Sequence, residues 1–325
     1  MATSGSGVRL YGALALMVPL CVVVFWILGF LPWVLGGFTL PVAQAHGAGA
    51  GLAGVRLAVP LVATRLPELV ASTLVGAVLA GMVPIAFPRV PRLLAVVVAG
   101  SVVLATTTAV LVSSRASLEH WASVQFAADH RVVEGLVLAM VCASALGLAV
   151  GLTATVRHGV VAVAAGVVAA ALPAWVAAFP GVEVGLLTEV VAAAALLVGL
   201  LVSVHRTRWS AAWWPAALAL GWLGAPLAAA AAAVATRLQP GSDASLSELV
   251  GRAGHAVAGT SGPVGQAWWP WAVVAAVALA RLVRPSAGHR RADAGSTVDG
   301  AHGEPRQELH ALAPERPKHA ATRRA

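Results

Sequence analysis

The chain has 325 residues, of which 59% are hydrophobic and only 10% are charged, and its formal net charge is +8. Soluble globular domains carry roughly 25% charged residues, so this composition excludes an ordinary water-facing surface. The positive charge does not indicate nucleic-acid binding, because the arginines lie in short segments between apolar runs and not in one patch with interleaved aromatic residues. We therefore predict a membrane protein whose partner is the lipid bilayer, with other membrane protein subunits as an open alternative.

The apolar runs predict the fold class. About 20 apolar residues are needed to cross the hydrocarbon core, and about eight segments approach or reach that length. Lipid offers the backbone no hydrogen-bond partner, so each segment should be a helix. We predict an all-α polytopic membrane helix bundle over 1–284, followed by a disordered basic tail over 285–325. The predicted spans are 10–35, 68–87, 92–112, 132–155, 159–179, 184–204, 211–235 and 267–283.

The first span could be mistaken for a signal peptide. Small residues around 43–45 resemble a cleavage site. The apolar run over 10–35 is longer than the about 7–15 residues of a signal-peptide core. We therefore expect the run to be retained as the first helix.

Arginine placement predicts the orientation. The segments between spans form two alternating sets: one holds arginines and no acidic residue, and the other mixes both in mostly longer segments. The positive-inside rule puts the arginine-only set in the cytoplasm. We predict a plasma (inner) membrane protein of a bacterium with both termini cytoplasmic. The arginine-only set is Arg9, Arg89, Arg92, Arg157, Arg206, Arg208, Arg281 and Arg284.

Two of the long outer segments have helical character. Residues 50–67 are mostly apolar and favour an interfacial or re-entrant helix. Residues 113–131 interleave apolar, acidic and histidine side chains, which favours an amphipathic helix lying on the membrane. Both segments are expected to stay on the outer side.

A third long outer segment contains a helix start signal. Ser245 and Glu248 have the spacing of a capping box, in which each side chain bonds the other residue's backbone N–H. A short helix over about 246–257 is expected to follow. Tryptophans at 268, 269 and 271 then mark the outer boundary of the last span, because indole rings favour the headgroup zone.

Glu189 is the first candidate for a functional side chain. It lies about six residues inside the predicted span 184–204, or roughly 9 Å along a helix. An ionisable group at that depth is a candidate for substrate binding or proton coupling. The alternative is that the helix begins later and that Glu189 reaches the outer interface.

His130 and Glu134 form the second candidate. Their spacing of four places both on one face of a helix at the outer start of the fourth span. Substrate binding or a proton relay is one interpretation, and a solvated helix start is the other. We predict no bound metal or cofactor, although the outer histidines and acids together could assemble a metal site.

The middle of the membrane is nearly uncharged. Its main polar residues are Thr106–Thr108 and Ser144, and threonines in helices often bond their own backbone. Gly147 and Gly151 have the G-x-x-x-G spacing that permits close helix contact. Pro226, preceded by two glycines, is the strongest position for a helix kink.

Three classes of function fit these features. A permease-like transporter or channel subunit would use helix breaks and Glu189. A non-catalytic membrane partner or scaffold subunit of an envelope or secretion assembly would need only an apolar bundle and large outer segments. An enzyme acting at the outer membrane face would use the outer acids and histidines. The sequence contains no nucleotide-binding loop, metalloprotease motif or nucleophile elbow, so the enzyme hypothesis is the weakest of the three.

Overall fold

The protein is described by a computed structural model, and the part of the chain that it describes is helical and contains no strand. The described residues are 4–39, 59, 61, 63–122, 130–157, 159–183, 185–206, 208–237, 245–261 and 267–283. Their α-helices are α1 Ser4–Thr39, α2 Leu66–Met82, α3 Arg92–Ala122, α4 His130–Val156, α5 Val160–Ala177, α6 Leu186–Arg206, α7 Trp214–Ala235, α8 Leu246–Ser261 and α9 Trp269–Val283. Short 3-10 segments cover Ala63–Arg65, Val83–Ala86 and Arg208–Trp213. The predicted all-α polytopic bundle is confirmed.

Helix length separates the last predicted span from the others. Seven helical stretches in the described residues are long and apolar enough to cross a membrane. The eighth, α9, has only 15 residues, which corresponds to about 22 Å at 1.5 Å per residue, against a hydrocarbon core near 30 Å. Because α9 is shorter than the hydrocarbon core is thick, its placement in the membrane depends on the helices that it contacts.

Contacts between helices establish their relative directions. Trp33 of α1 bonds Ser72 of α2, and Cys21 lies against the Ala80 carbonyl, so these two helices are antiparallel. The indole of Trp214 at the start of α7 bonds Ser203 near the end of α6, so this pair is antiparallel as well.

Helices α2 and α4, in contrast, point in the same direction. A Cβ on Gly147 would meet Leu74 and Val78, whereas one on Gly151 would meet Val78 and Gly81. Residue numbers rise together along this contact, so α2 and α4 are parallel, as expected when α3 crosses between them. The chain therefore alternates in direction through these helices.

The alternation gives the bundle two chemically different sides. We call the side at which α2, α4, α6 and α9 begin the glutamate side, and the opposite side the arginine side. Segments on the glutamate side carry both signs of charge, whereas segments on the arginine side carry arginines and no acidic residue among the described residues. The glutamates are Glu68, Glu134, Glu183, Glu189 and Glu248, accompanied by arginines such as Arg65, and the arginines of the other side are Arg89, Arg92, Arg157 and Arg281.

The bundle contains two main apolar clusters. One joins α1, α2, α3 and α4 and includes Phe25, Leu69 and Met140. The other joins α5, α6, α7 and α9 and includes Leu196 and Trp271. Because lipid is as apolar as these side chains, the clusters stabilise the bundle through close van der Waals packing and not through removal from water.

Helix α2 is the most buried of the spanning helices. The structure buries 61% of its most apolar window, against 28–39% for the other six long helices. It packs against α1, α4 and α5. Glycines make this position possible: a Cβ on Gly76 would lie 2.9 Å from the Phe25 carbonyl oxygen, and one on Gly151 would lie 2.3 Å from the Val78 carbonyl oxygen. The G-x-x-x-G spacing in α4 is therefore a real helix contact.

Two outer segments differ in how well the sequence predicted them. The capping box is present, because the Ser245 N–H donates to Glu248 and the Glu248 N–H donates to the Ser245 hydroxyl. The helix that follows, α8, continues to Ser261, a few residues beyond the predicted end. The separate surface helix predicted in 113–131 is wrong in its first half, because residues up to Ala122 continue α3. Residues 40–58 and the predicted tail over 285–325 lie outside the described residues.

Candidate functional site

Glu189 lies in the first turn of α6, because the helix begins at Leu186. The depth expected from a span starting at 184 was therefore overestimated. Its Oε2 atom accepts a hydrogen bond of 3.1 Å from the backbone N–H of Ala267. Ala267 lies two residues before the start of α9, where unpaired N–H groups and the helix dipole favour a negative charge. Glu189 thus joins the starts of two helices, and its role in transport stays a prediction.

This geometry predicts different results for two substitutions. Glu189→Gln keeps an acceptor oxygen and should change the free energy of unfolding by less than about 0.5 kcal/mol. Glu189→Ala removes the acceptor and should lower that free energy by about 1–2 kcal/mol. Chemical denaturation of the protein in detergent measures both. Equal losses in the two variants would contradict the tether and favour a role for the charge itself.

His130 and Glu134 lie in the first turns of α4, on the glutamate side. The His130 backbone begins the helix, and its side chain lies outside the described residues. Glu134 is exposed. The predicted pairing of these two side chains therefore stays a prediction.

Polar side chains in the middle of the bundle bond one another or their own helices. Thr107 of α3 and Ser144 of α4 share a hydrogen bond of 3.1 Å, which links two helices at mid-depth. Thr106 and Thr108 donate to backbone carbonyls one turn earlier in α3. The threonines singled out in the sequence thus have structural partners.

A polar notch lies between α1 and α2 on the glutamate side. Glu68, in the first turn of α2, accepts from Arg65 at 3.3 Å through Oε1. Only 15% of the Glu68 side chain is exposed, and its Oε2 atom is buried without a hydrogen-bond partner in the structure. Ser72 follows one turn deeper on the same helical face and accepts from the Trp33 indole at 3.1 Å. We call these four residues the α1–α2 notch.

The floor of the notch is closed by backbone. Gly76 lies one turn below Ser72, and a Cβ there would lie 3.0 Å from the Cα of Gly29 and 2.9 Å from the Phe25 carbonyl oxygen. No side chain separates the helices at this level. The notch is therefore a buried polar contact between α1 and α2 that extends about two turns, or 11 Å, along α2 and is closed at Gly76.

The unpaired Oε2 atom makes the notch the most unusual site among the described residues. A buried acceptor without a partner costs roughly 1–3 kcal/mol, and native proteins contain few of them. The carboxylate is suited to bind a group that donates hydrogen bonds or carries positive charge. Sequence analysis counted Glu68 only as one of the outer acids. The sequence feature that could have singled out Glu68 is its spacing of four from Ser72, on a helix that also carries Thr73 and Gly76.

The described residues form no candidate metal site. No group of three or more His, Cys, Asp or Glu side chains there is arranged to hold a metal ion. Several of the outer histidines, including His46 and His120, lie where side chains are outside the described residues. The alternative of an outer metal site is therefore not tested by these residues.

No protein-family model, no curated protein and no solved structure matches this chain. Function is therefore inferred from the chain's own residues.

Proposed function

We propose that this protein is a permease-like transporter or channel subunit whose solute first contacts the α1–α2 notch. The observation that carries this proposal is the buried, unpaired Oε2 atom of Glu68 at the head of the most buried helix. A scaffold has no use for an unsatisfied carboxylate oxygen at that position, whereas a binding site needs a free acceptor. Glu189, Glu134 and His130 stay on the same side as further candidates for substrate or proton coupling.

The notch favours a particular class of solute. A carboxylate oxygen accepts hydrogen bonds only, and it is strongest with a charged donor. Arg65 already pairs with the other oxygen and is half exposed, so it can also contact an anionic group on the same molecule. We therefore propose a small solute with an ammonium or similar cationic nitrogen, with zwitterionic solutes as the best fit.

Glu68→Gln tests the proposal, with Glu248→Gln as its matched control. Glu248 is exposed on the same side, and a glutamine there can still serve the capping box. In proteoliposomes we expect the wild type to take up radiolabelled choline, putrescine or zwitterionic amino acids. Glu68→Gln should weaken the apparent affinity by about 10- to 100-fold, because a charge-assisted hydrogen bond is lost.

The same measurement separates the outcomes. Glu248→Gln should leave the apparent affinity of uptake unchanged within about twofold. Equal affinity in wild type and Glu68→Gln would remove the notch from transport. Absence of uptake with every solute in the panel, together with a stoichiometric copurifying subunit, would favour the alternative function.

That alternative is a non-catalytic membrane partner or scaffold subunit, and one observation favours it. A face of α3 forms an open groove of about 820 Å³ lined by small and apolar residues. Small residues at four-residue spacing allow a neighbouring helix to approach closely in a membrane. The lining residues are Ser101, Leu104, Ala105, Thr108, Ala109, Val112 and Ser113.

The proposed orientation puts the glutamate side outside and the arginine side in the cytoplasm of a bacterial plasma membrane. Its support is the positive-inside rule applied to the short arginine-bearing turns. The notch then faces the exterior and would receive solute from there. Labelling a cysteine at position 68 in intact cells tests this, and labelling only from the cytoplasm would contradict it.

A further inference from the structure

Helix α1 is interrupted close to the notch. Pro32 lies inside the helix and has no N–H, so the carbonyl of Leu28, four residues earlier, has no partner from the helix backbone. Prolines in membrane helices are tolerated where a neighbouring group satisfies the freed carbonyl. The end of α1 beyond Pro32 is therefore joined to the rest of the helix by fewer hydrogen bonds.

A tryptophan of another helix satisfies this carbonyl. The indole N–H of Trp175 in α5 donates a hydrogen bond to the Leu28 carbonyl oxygen. The bond holds the lower part of α1 against α5 regardless of where the outer end of α1 lies. Trp175 therefore holds α1 in place at Leu28, one turn before Pro32.

A hydrogen bond and apolar packing join Trp33, at the outer end of α1, to α2. Trp33, directly after Pro32, is 8% exposed, and its indole donates to Ser72. Because the helices are antiparallel, the turn of α1 that follows Trp33 lies level with the turn of α2 that carries Glu68. Breaking the bond between Trp33 and Ser72 would let this turn move away from Glu68.

We propose that residues 33–39 of α1 form a hinged cover over Glu68, pivoting at Pro32 and closed by the hydrogen bond from Trp33 to Ser72. The use of this movement, to admit solute, rests on the proposed function. The movement itself does not, and it can be measured without any solute. The cover explains why Glu68 can be largely buried in one state and still serve as a binding group.

Thiol accessibility tests the cover. The background is Cys21→Ala with Cys142→Ala, in nanodiscs that leave both faces open to a membrane-impermeant maleimide. Glu68→Cys reports on the covered position, and Thr64→Cys, an exposed site just outside it, is the matched control. We expect Trp33→Phe and Ser72→Ala each to raise the labelling rate at position 68 by about three- to tenfold, as expected from loss of one hydrogen bond. Labelling at position 64 should change by less than about twofold.

Pro32→Ala should have the opposite effect on the labelling rate at position 68. An alanine at 32 restores an N–H that can bond Leu28 within the helix, so the outer end should become stiffer and labelling at position 68 should slow. Unchanged labelling in both Trp33→Phe and Ser72→Ala would overturn the cover. An equal rise at position 64 would also overturn it, because the loosening would then be general. Faster or unchanged labelling in Pro32→Ala would overturn the pivot.

The tests of the cover and of the proposed function fail differently. A cover that responds as expected, with Glu68→Gln transporting normally, would leave the movement standing and remove Glu68 from transport. Unchanged accessibility, with Glu68→Gln impaired, would keep the binding site and remove the cover.

Discussion

Gly151→Ala should lower the free energy of unfolding by about 2 kcal/mol, although alanine is the better helix former by about 1 kcal/mol. The added Cβ would lie 2.3 Å from the Val78 carbonyl oxygen, where no flexible side chain can give way. Helices α2 and α4 would have to separate along their whole contact. Reversible denaturation in detergent micelles measures the loss.

Gly135→Ala is the matched control for that substitution. Gly135 lies in the same helix, and a Cβ there would meet nothing within 4 Å. The same chemical change should therefore leave the free energy of unfolding unchanged or raise it by up to about 1 kcal/mol. A similar loss in both variants would show that backbone flexibility of α4, and not its contact with α2, is what alanine removes.

Trp175→Phe should lower the free energy of unfolding by about 1–2 kcal/mol by leaving the Leu28 carbonyl without a donor. The aromatic ring is kept, so most of its packing remains. In a Pro32→Ala background the same substitution should cost less than about 0.5 kcal/mol, because the alanine N–H can bond Leu28. A double-mutant cycle of these two positions measures the coupling between them.

The cycle also provides its own controls. Pro32 is fully buried, so Pro32→Ala alone can lose packing, but that loss is common to both arms and cancels. Trp269→Phe, at an exposed tryptophan of α9, should change the free energy of unfolding by less than about 0.5 kcal/mol in either background. Additive effects of Pro32→Ala and Trp175→Phe would contradict the role given to Trp175.

These two effects divide the bundle into a fixed part and a part that can move. Glycine contacts hold α2 against α4 with backbone touching backbone, which leaves little freedom to slide. Trp175 holds α1 to α5 below Pro32. The end of α1 beyond Pro32 is joined to the rest of its helix by fewer hydrogen bonds, so a conformational change at the notch is expected there first.

Local features were predictable from the sequence. The spans followed from apolar length, because lipid forces each buried segment to satisfy its own backbone. The Ser245–Glu248 capping box was predictable because its partners are three residues apart and need no other helix. The two sides of the bundle followed from the arginines, since alternate crossings bring every second turn to the same side.

The depth of Glu189 and the placement of α9 could not be predicted from neighbouring residues in the sequence. The helix start at Leu186 moved Glu189 from an expected depth of several residues to the first turn. Its partner, Ala267, is 78 residues away. The last helix is shorter than the core it was expected to cross, and its placement depends on Glu189 and on the contact of Trp271 with Gly221, which no periodicity encodes.

The sequence by itself determined that this chain is a membrane helix bundle and which of its segments share a side, because both follow from polarity and length along the chain. Only the tertiary structure decided which of many glycines are helix contacts, and which carboxylate has a buried oxygen without a partner. It also showed that the Leu28 carbonyl, freed by Pro32, is bonded by a tryptophan of another helix. The physical reason is distance along the chain: the bonds from Trp33 to Ser72 and from Trp175 to Leu28 join residues 39 and 147 positions apart, so they exist only once the helices have packed.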